Sequence, residues 1–296
     1  MTRQHSPARN LLAWFAIIAV GAADARAQLY GISDPDLGGG VPATLYTINP
    51  ATGVATPIAN LSGAVFSSIN GLDALGGTLY ASDIVVSVNP TQWRFGTVNR
   101  TTAAFTPINN QSGSSNWHGL AGNDNAGVLY TVDNDDNQTL KSITPAGAVT
   151  TIGPTGVDQV GFAGLAYDVN HNVLYGVTLR DMGALYSINT ATGLATRIGR
   201  LDPASNLFAT TALGLTYDPI HDVLFLNNAE TNRLYSVNTA TGLATSIGLN
   251  GATDAGIDGL AFVVPEPSCV VLVSASILAL RRSFPGLPFR ADPSKT

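Results

Sequence analysis

The fifteen residues LYSINTATGLATRIG, from 185 to 199, return as LYSVNTATGLATSIG from 234 to 248, with differences only at Ile188/Val237 and Arg197/Ser246. One active site has no use for two copies of a motif, whereas a structural unit that buries its apolar face against its own copies must be repeated. Looser copies begin at 45 (LYTINPATGVATPI), 95 (FGTVNRTTAAFTPI) and 140 (LKSITPAGAVTTIG), so five units recur at spacings of 45 to 50 residues. A second phrase alternates with the first: GLDALGGTLYASD from 71, GLAGNDNAGVLYTVD from 119, GLAYDVNHNVLYGV from 164 and GLTYDPIHDVLFLN from 214.

Each unit holds four short β-rich stretches separated by Gly, Asn, Asp, Pro and Thr. In the copy from 164 these are GLAY, VLYGV, ALYSI and LATRI. Asn189 and Gly193 tolerate positive φ, so NTATG reverses the chain as a hairpin between the last two. Composition agrees, since 31 Gly and 16 Pro with only 11% charged residues favour strands and tight turns over exposed helices. Four strands in a unit of this length describe a propeller blade.

A solenoid is the alternative, and the chain ends argue against it. The final copy, GLAF at 259–262, has no LYG strand after it, while LYGIS stands at 29–33 near the other end. One blade assembled from both ends ties the ring shut and removes open sheet edges. The expected fold is therefore all-β, a five-bladed β-propeller of four-stranded blades over residues 28–263. Its closing blade takes the inner strand from 259–262 and the other three from about 29–58.

Residues 1–27 carry Arg3 and Arg9 before the apolar run LLAWFAIIAVGAA, then Ala25-Arg26-Ala27 ahead of Gln28, the pattern of a cleaved secretory signal peptide. The run of 13 is short for a membrane span, which needs about 20 apolar residues. Near the other end, VPEPSCVVLVSASILALRRS covers 264–283. Pro265, Glu266 and Pro267, a short hydrophobic helix and the stop at Arg281-Arg282 resemble a PEP-CTERM sorting signal of bacterial exported proteins. The resemblance implies an exosortase-type processing enzyme as partner, removal of the tail, and a destination at the cell surface or in the extracellular matrix. Two features depart from the pattern: the fourteen residues SFPGLPFRADPSKT after Arg282, of which 284–296 are expected as a disordered tail, and Cys269 within the apolar run. A C-terminal membrane anchor, transient or retained, fits the same residues, with the two arginines on the cytoplasmic side.

The formal charge of −6 conceals an uneven distribution, because residues 28–266 hold 7 basic against 18 acidic residues, a net of −11. Such a body repels phosphate backbones, so nucleic acid is not an expected partner. Cys269 is the sole cysteine, which excludes an intrachain disulfide and a cysteine-based zinc site. The repeats LYxIN…TG…IG and GLAYD…LYG resemble secreted propellers of the YncE-like and NHL-like kind. That resemblance implies an architecture and no activity.

The loop entering each inner strand of such a propeller faces the central channel. The residue before each GL is Asn70, His118, Ala163, Leu213 and Asp258. Ring closure makes Asp258, Asn70 and His118 neighbours, and a carboxylate, an amide and an imidazole suit a hard cation or a polar ligand such as a sugar. Asn116 and Trp117 beside them offer an amide and an aromatic face; solvated loop residues are the plain alternative. Asp133, Asp135 and Asp136 in DNDDNQ have partial D-x-D spacing for Ca²⁺ but lack the glycine and glutamate of an EF-hand. His171 and His221 recur at one hairpin position, and Asp168 and Asp218 at another, which favours turn roles over metal binding or paired-acid glycoside cleavage. No G-x-S-x-G, H-E-x-x-H or phosphate-binding glycine loop is present.

These residues favour a non-enzymatic reading: an exported binding or scaffold module for extracellular polysaccharide or matrix proteins. Its rival is an extracellular hydrolase or lyase with a divalent ion at the channel mouth, for which Ca²⁺ is the candidate cofactor. A structural coat component assembling through its blade edges is the third possibility.

Overall fold

A computed structural model describes residues 27–34, 42–64, 66–85, 92–112, 116–134, 137–157, 161–179, 183–205, 208, 213–252 and 256–264. The segment up to 26, expected as a signal peptide, the residues Pro265, Glu266, Pro267, Arg281 and Arg282, expected as a sorting signal, and the tail to 296 lie outside these residues, as do Asp135 and Asp136. Among the described residues no helix is long and apolar enough to cross a membrane.

The chain starts in β1 (Gln28–Ser33), β2 (Thr44–Ile48) and β3 (Ala55–Asn60). The second blade is β4 (Ser68–Leu75), β5 (Thr78–Val85), β6 (Gln92–Val98) and β7 (Phe105–Ser112). The third is β8 (Trp117–Asn123), β9 (Val128–Asp133), β10 (Thr139–Ile143) and β11 (Val149–Pro154). The fourth is β12 (Phe162–Asp168), β13 (Val173–Thr178), β14 (Ala184–Ile188) and β15 (Ala195–Arg200). The fifth is β16 (Leu213–Asp218), β17 (Val223–Asn228), β18 (Arg233–Val237) and β19 (Ala244–Leu249). Finally β20 (Ile257–Val263) returns to pair antiparallel with β1, completing the first blade in the order β20-β1-β2-β3. The protein is a five-bladed β-propeller closed by strands from both ends, as the unequal first and last repeats indicate.

The Leu-Tyr pair of the repeat explains how the blades cohere. Successive strand residues point to opposite faces. In β13, Leu174 therefore packs into the core shared with the third blade while Tyr175 packs into the core shared with the fifth. The same division holds for Leu29 and Tyr30, Leu79 and Tyr80, Leu129 and Tyr130, and Leu224 and Phe225. Five apolar clusters thus lie between five pairs of neighbours, and each such buried side chain contributes roughly 1.5–3 kcal/mol. A single blade would expose two apolar faces, which is why the unit recurs.

The repeated turn makes a second joint at the rim. In the fourth blade the Asn189 side chain accepts the N–H groups of Ala191 and Thr192, the Asn189 carbonyl accepts that of Gly193, and Gly193 takes φ +85°. This turn docks on the outer strand of the preceding blade, where Ala195 N–H donates to the Thr155 carbonyl at 2.9 Å. Ala244 to Leu201, Ala55 to Asn250 and Phe105 to Ser62 repeat the contact, at 2.8–2.9 Å. Between the second and third blades, where the turn reads TPAGAV, the Asn109 amide donates to the Gly147 carbonyl instead, at 2.6 Å.

Candidate functional site

The five inner strands meet at the axis through the GL pairs. A Cβ on Gly71 would lie 2.8 Å from the Gly119 carbonyl carbon, one on Gly119 2.8 Å from Leu165 N, and one on Gly164 2.9 Å from Leu215 N. Gly214 and Gly259 abut Asp258 and Leu72 in the same way, so no side chain fits between neighbouring inner strands. Leu72, Leu120, Leu165, Leu215 and Leu260 are all buried around this ring. The channel is therefore floored, and its entrance is a shallow depression over the GL ring.

Asn70, Ala163, Leu213 and Asp258 line that depression. Three of them sit on register breaks. Pairing passes from Ile69↔Asp83 to Gly71↔Ser82 without Asn70, from Phe162↔Thr178 to Gly164↔Val177 without Ala163, and from Ile257↔Ser33 to Gly259↔Ile32 without Asp258. A β-bulge of this kind frees one residue from the ladder and re-aims its side chain.

Asn70 is buried, and its Oδ1 accepts the Ser68 hydroxyl at 2.9 Å. Ser68 Oγ also lies 3.2 Å from Asp34 Oδ2, and Ile69 N–H donates to Asp34 Oδ1 at 3.3 Å. Among the described residues the Asn70 Nδ2 group and both Asp258 carboxylate oxygens have no hydrogen-bond partner. Asp258 is partly buried at the depression. Burial, and then the charge of Asp34, push its pKa well above the ordinary carboxylate value.

The other sequence candidates are placed differently. His118 does not line the depression; its Nε2 lies 2.7 Å from Asn116 Oδ1, and burial lowers its pKa to about 4 against the opposing charge of Asp133. Trp117 is core: its ring centroid lies 4.1 Å from that of Trp93, and its Nε1–H donates to Asp133 Oδ2 at 2.6 Å. The aromatic face expected at the mouth is thus occupied by packing. Asp133 also accepts Lys141 at 3.2 Å, so the one described acid of DNDDNQ is engaged within its own blade.

Asp168 and Asp218 cap turns. Asp168 accepts His171 N–H at 2.9 Å, and Asp218 accepts those of Ile220 and His221 at 2.8 and 3.2 Å. Their second oxygens hold His171 Nδ1 at 2.9 Å and His221 Nδ1 at 2.7 Å.

Calcium needs six to eight oxygen ligands around one point. Among the described residues the group of His, Cys, Asp or Glu side chains that brings three ligand atoms within 4.8 Å of one another is Asp168, His171 and Asp222, and not the mouth acids. There His171 Nδ1 stands between the two carboxylates, raised in pKa first by its hydrogen bond to Asp168. A nitrogen already paired with the acids makes this a poor Ca²⁺ cage. Asp34 belongs to the mouth but no repeated phrase marks it, because it follows β1 in the blade joined from both ends.

No protein-family model matches the chain, and no curated protein matches it in sequence. Solved structures do match in shape. A chain of the nidogen/laminin complex shares 13% identity with a TM-score of 0.54, covering 81% of this chain and 100% of that one. A structural-genomics protein from Bacteroides thetaiotaomicron VPI-5482 has 17% identity and a TM-score of 0.48, over 75% of this chain and half of its own. The calcium-binding protein regucalcin from Agrobacterium tumefaciens has 16% identity and a TM-score of 0.48, over 81% and 76%. The first likeness is to the fold alone.

Proposed function

We propose that this propeller is a binding module for a hydroxyl-rich ligand of the polysaccharide kind, held at the mouth between Asn70 and Asp258. The observation that carries the reading is the pair of unengaged groups, an amide donor and a desolvated carboxylate, raised on bulges over a floored depression. A ligand bearing adjacent hydroxyls would engage both, donating to Asp258 and accepting from Asn70, each a hydrogen bond worth about 1 kcal/mol or more. The hydrolase or lyase reading needs a cation and a poised water; of the three residues it draws on, Asn70 and Asp258 line the depression and His118 does not. The binding module is therefore favoured.

The sequence of both ends supports a bacterial exported protein, displayed at the cell surface or in the matrix after exosortase-type processing. Mass spectrometry of the secreted protein tests this part: a product still carrying residue 296 refutes tail removal. For the site, a glycan array with the secreted protein identifies the ligand, and titration compares the wild type with Asp258→Asn and Asn70→Ala. Each variant is expected to lose about tenfold in affinity, one good hydrogen bond, with an unchanged β-sheet circular-dichroism spectrum. Unaltered binding by both variants overturns the site, and binding to matrix protein instead of glycan overturns the ligand class.

A further inference from the structure

The inner strands end at the opposite mouth, beyond the GL floor. There Asp73, Asp124, Tyr167, Thr216, Tyr217 and Phe262 line a separate, narrow cavity that opens to solvent. One ring position distinguishes it. The residue after GL is Ala121, Ala166, Thr216 and Ala261 in four blades, but Asp73 in the second. Small residues are what a crowded axis admits, so a carboxylate in their place stands out.

Asp73 is 7% exposed. Its Oδ1 accepts Ala74 N–H and its Oδ2 accepts Gly122 N–H, both at 2.8 Å, and Thr216 Oγ1 lies 3.5 Å from Oδ1. No lysine, arginine or histidine among the described residues pairs with it. Burial pushes its pKa up to about 8, with the charge of Asp124 acting in the same direction. The hydroxyls of Tyr167 and Tyr217 are engaged away from Asp73: Tyr167 donates to Asn172, and Tyr217 donates to Asp222 at 2.6 Å while accepting from Asn170 at 3.0 Å. What they add to the cavity is ring surface, continued by Phe262, Val169 and Val264.

From this juxtaposition of a buried carboxylate lacking a counter-cation with anchored aromatic walls, we infer that the second mouth binds a primary ammonium carried on a short apolar stem. The carboxylate supplies the charge, Asp124 reinforces it at the cavity wall, and the rings attract a cation through their faces while accepting the stem. A divalent metal suits the cavity less, because both Asp73 oxygens already accept backbone N–H groups and, among the described residues, no third His, Cys, Asp or Glu ligand gathers with Asp73 and Asp124. An ammonium needs few acceptors. Its arrival takes the proton from the Asp73 carboxyl to the buffer and leaves a carboxylate–ammonium pair.

The test is isothermal titration of the secreted protein with n-butylamine and its neutral counterpart n-butanol. Butylammonium keeps its proton through pH 9, as lysine does. It is expected to bind about tenfold more tightly at pH 9 than at pH 7, the ratio of ionised Asp73 on either side of a pKa of about 8. Proton release at pH 7 should appear as a binding enthalpy that depends on the buffer. Butanol should bind at least tenfold more weakly.

Asp124 faces Asp73, and Asp168, Asp222 and His171 lie beyond the tyrosines. The phenols of Tyr167 and Tyr217 are raised above the ordinary tyrosine value, mainly by burial. His171 is also raised, and Asp73→Asn separates its contribution, since that variant should lose the tight binding and the pH effect with His171 intact. The wild-type proton release stands even if the variant fails to fold. Equal binding of butanol, no proton release, or loss of binding in Asp258→Asn would overturn the assignment; the last would move the ligand to the first mouth, whose glycan binding is a separate matter.

Discussion

Asp73, Asp258 and His118 are ionisable groups at or beside the axis, and their shifts have opposite consequences for folding. Asp73 has a folded pKa of about 8 against 3.8, so the folded state holds a proton that the unfolded state has lost. Stability is therefore lost as pH rises from about 4 to 8, and Asp258, also raised, acts in the same sense. His118 is depressed to about 4 against 6.5; its contribution is full above pH 6.5 and is lost as pH falls towards 4. The two effects oppose each other below pH 6.5; above it the carboxyls act in the same sense as His171, whose hydrogen bond to Asp168 raises its pKa and is lost in turn as pH rises. Melting temperature is thus expected to fall between pH 6.5 and 8, less steeply in Asp73→Asn. On the acid side, His118→Gln should show a shallower loss between pH 6.5 and 4. A scan of both variants by calorimetry checks the two slopes, and parallel profiles would contradict the assignment.

The rim turn explains the glycines of the repeated phrase. Gly53, Gly193 and Gly242 take φ near +80° at the turn, and the outer-strand Gly153, Gly199 and Gly248 receive the next blade's turn at backbone contact. A methyl group on Gly199 would meet the Thr241 carbonyl, so Gly199→Ala is expected to destabilise by about 2 kcal/mol through overpacking. Gly251→Ala, with open space but φ +71°, should cost about 1 kcal/mol from backbone strain alone. Urea midpoints at unchanged m-value distinguish the two. The phrase was readable as a hairpin because Asn189 and Gly193 carry their turn chemistry locally. That the second glycine, Gly199, serves the neighbouring blade was not, because the contact joins residues more than forty apart.

Closure of the ring rests on β20, whose Val263 pairs with Gln28 of β1. The ends of the propeller are therefore adjacent. Joining residue 264 to residue 28 by a short linker and opening the chain between β9 and β10 should give a permutant that folds with a similar melting temperature. Removing 257 onward should leave the first blade without its inner strand and abolish cooperative unfolding. Both are read by thermal melts followed at a β-sheet circular-dichroism band. Blade number, strand order and the blade built from two ends were legible from the chain alone, because alternating apolar residues and turn residues act over a few positions and their recurrence counts the wedges. The working groups were legible only in part. Asn70 and Asp258 stood out as unequal members of a repeated position, and Asp73 carried the same signal three residues further on. What folding alone fixed is their meaning: bulges free Asn70 and Asp258, Trp117 turns into the core, His118 leaves the rim, and Asp73 reaches across towards Thr216. Those outcomes depend on which side chains from different blades arrive at one place, and on which remain without a partner once the ring has closed.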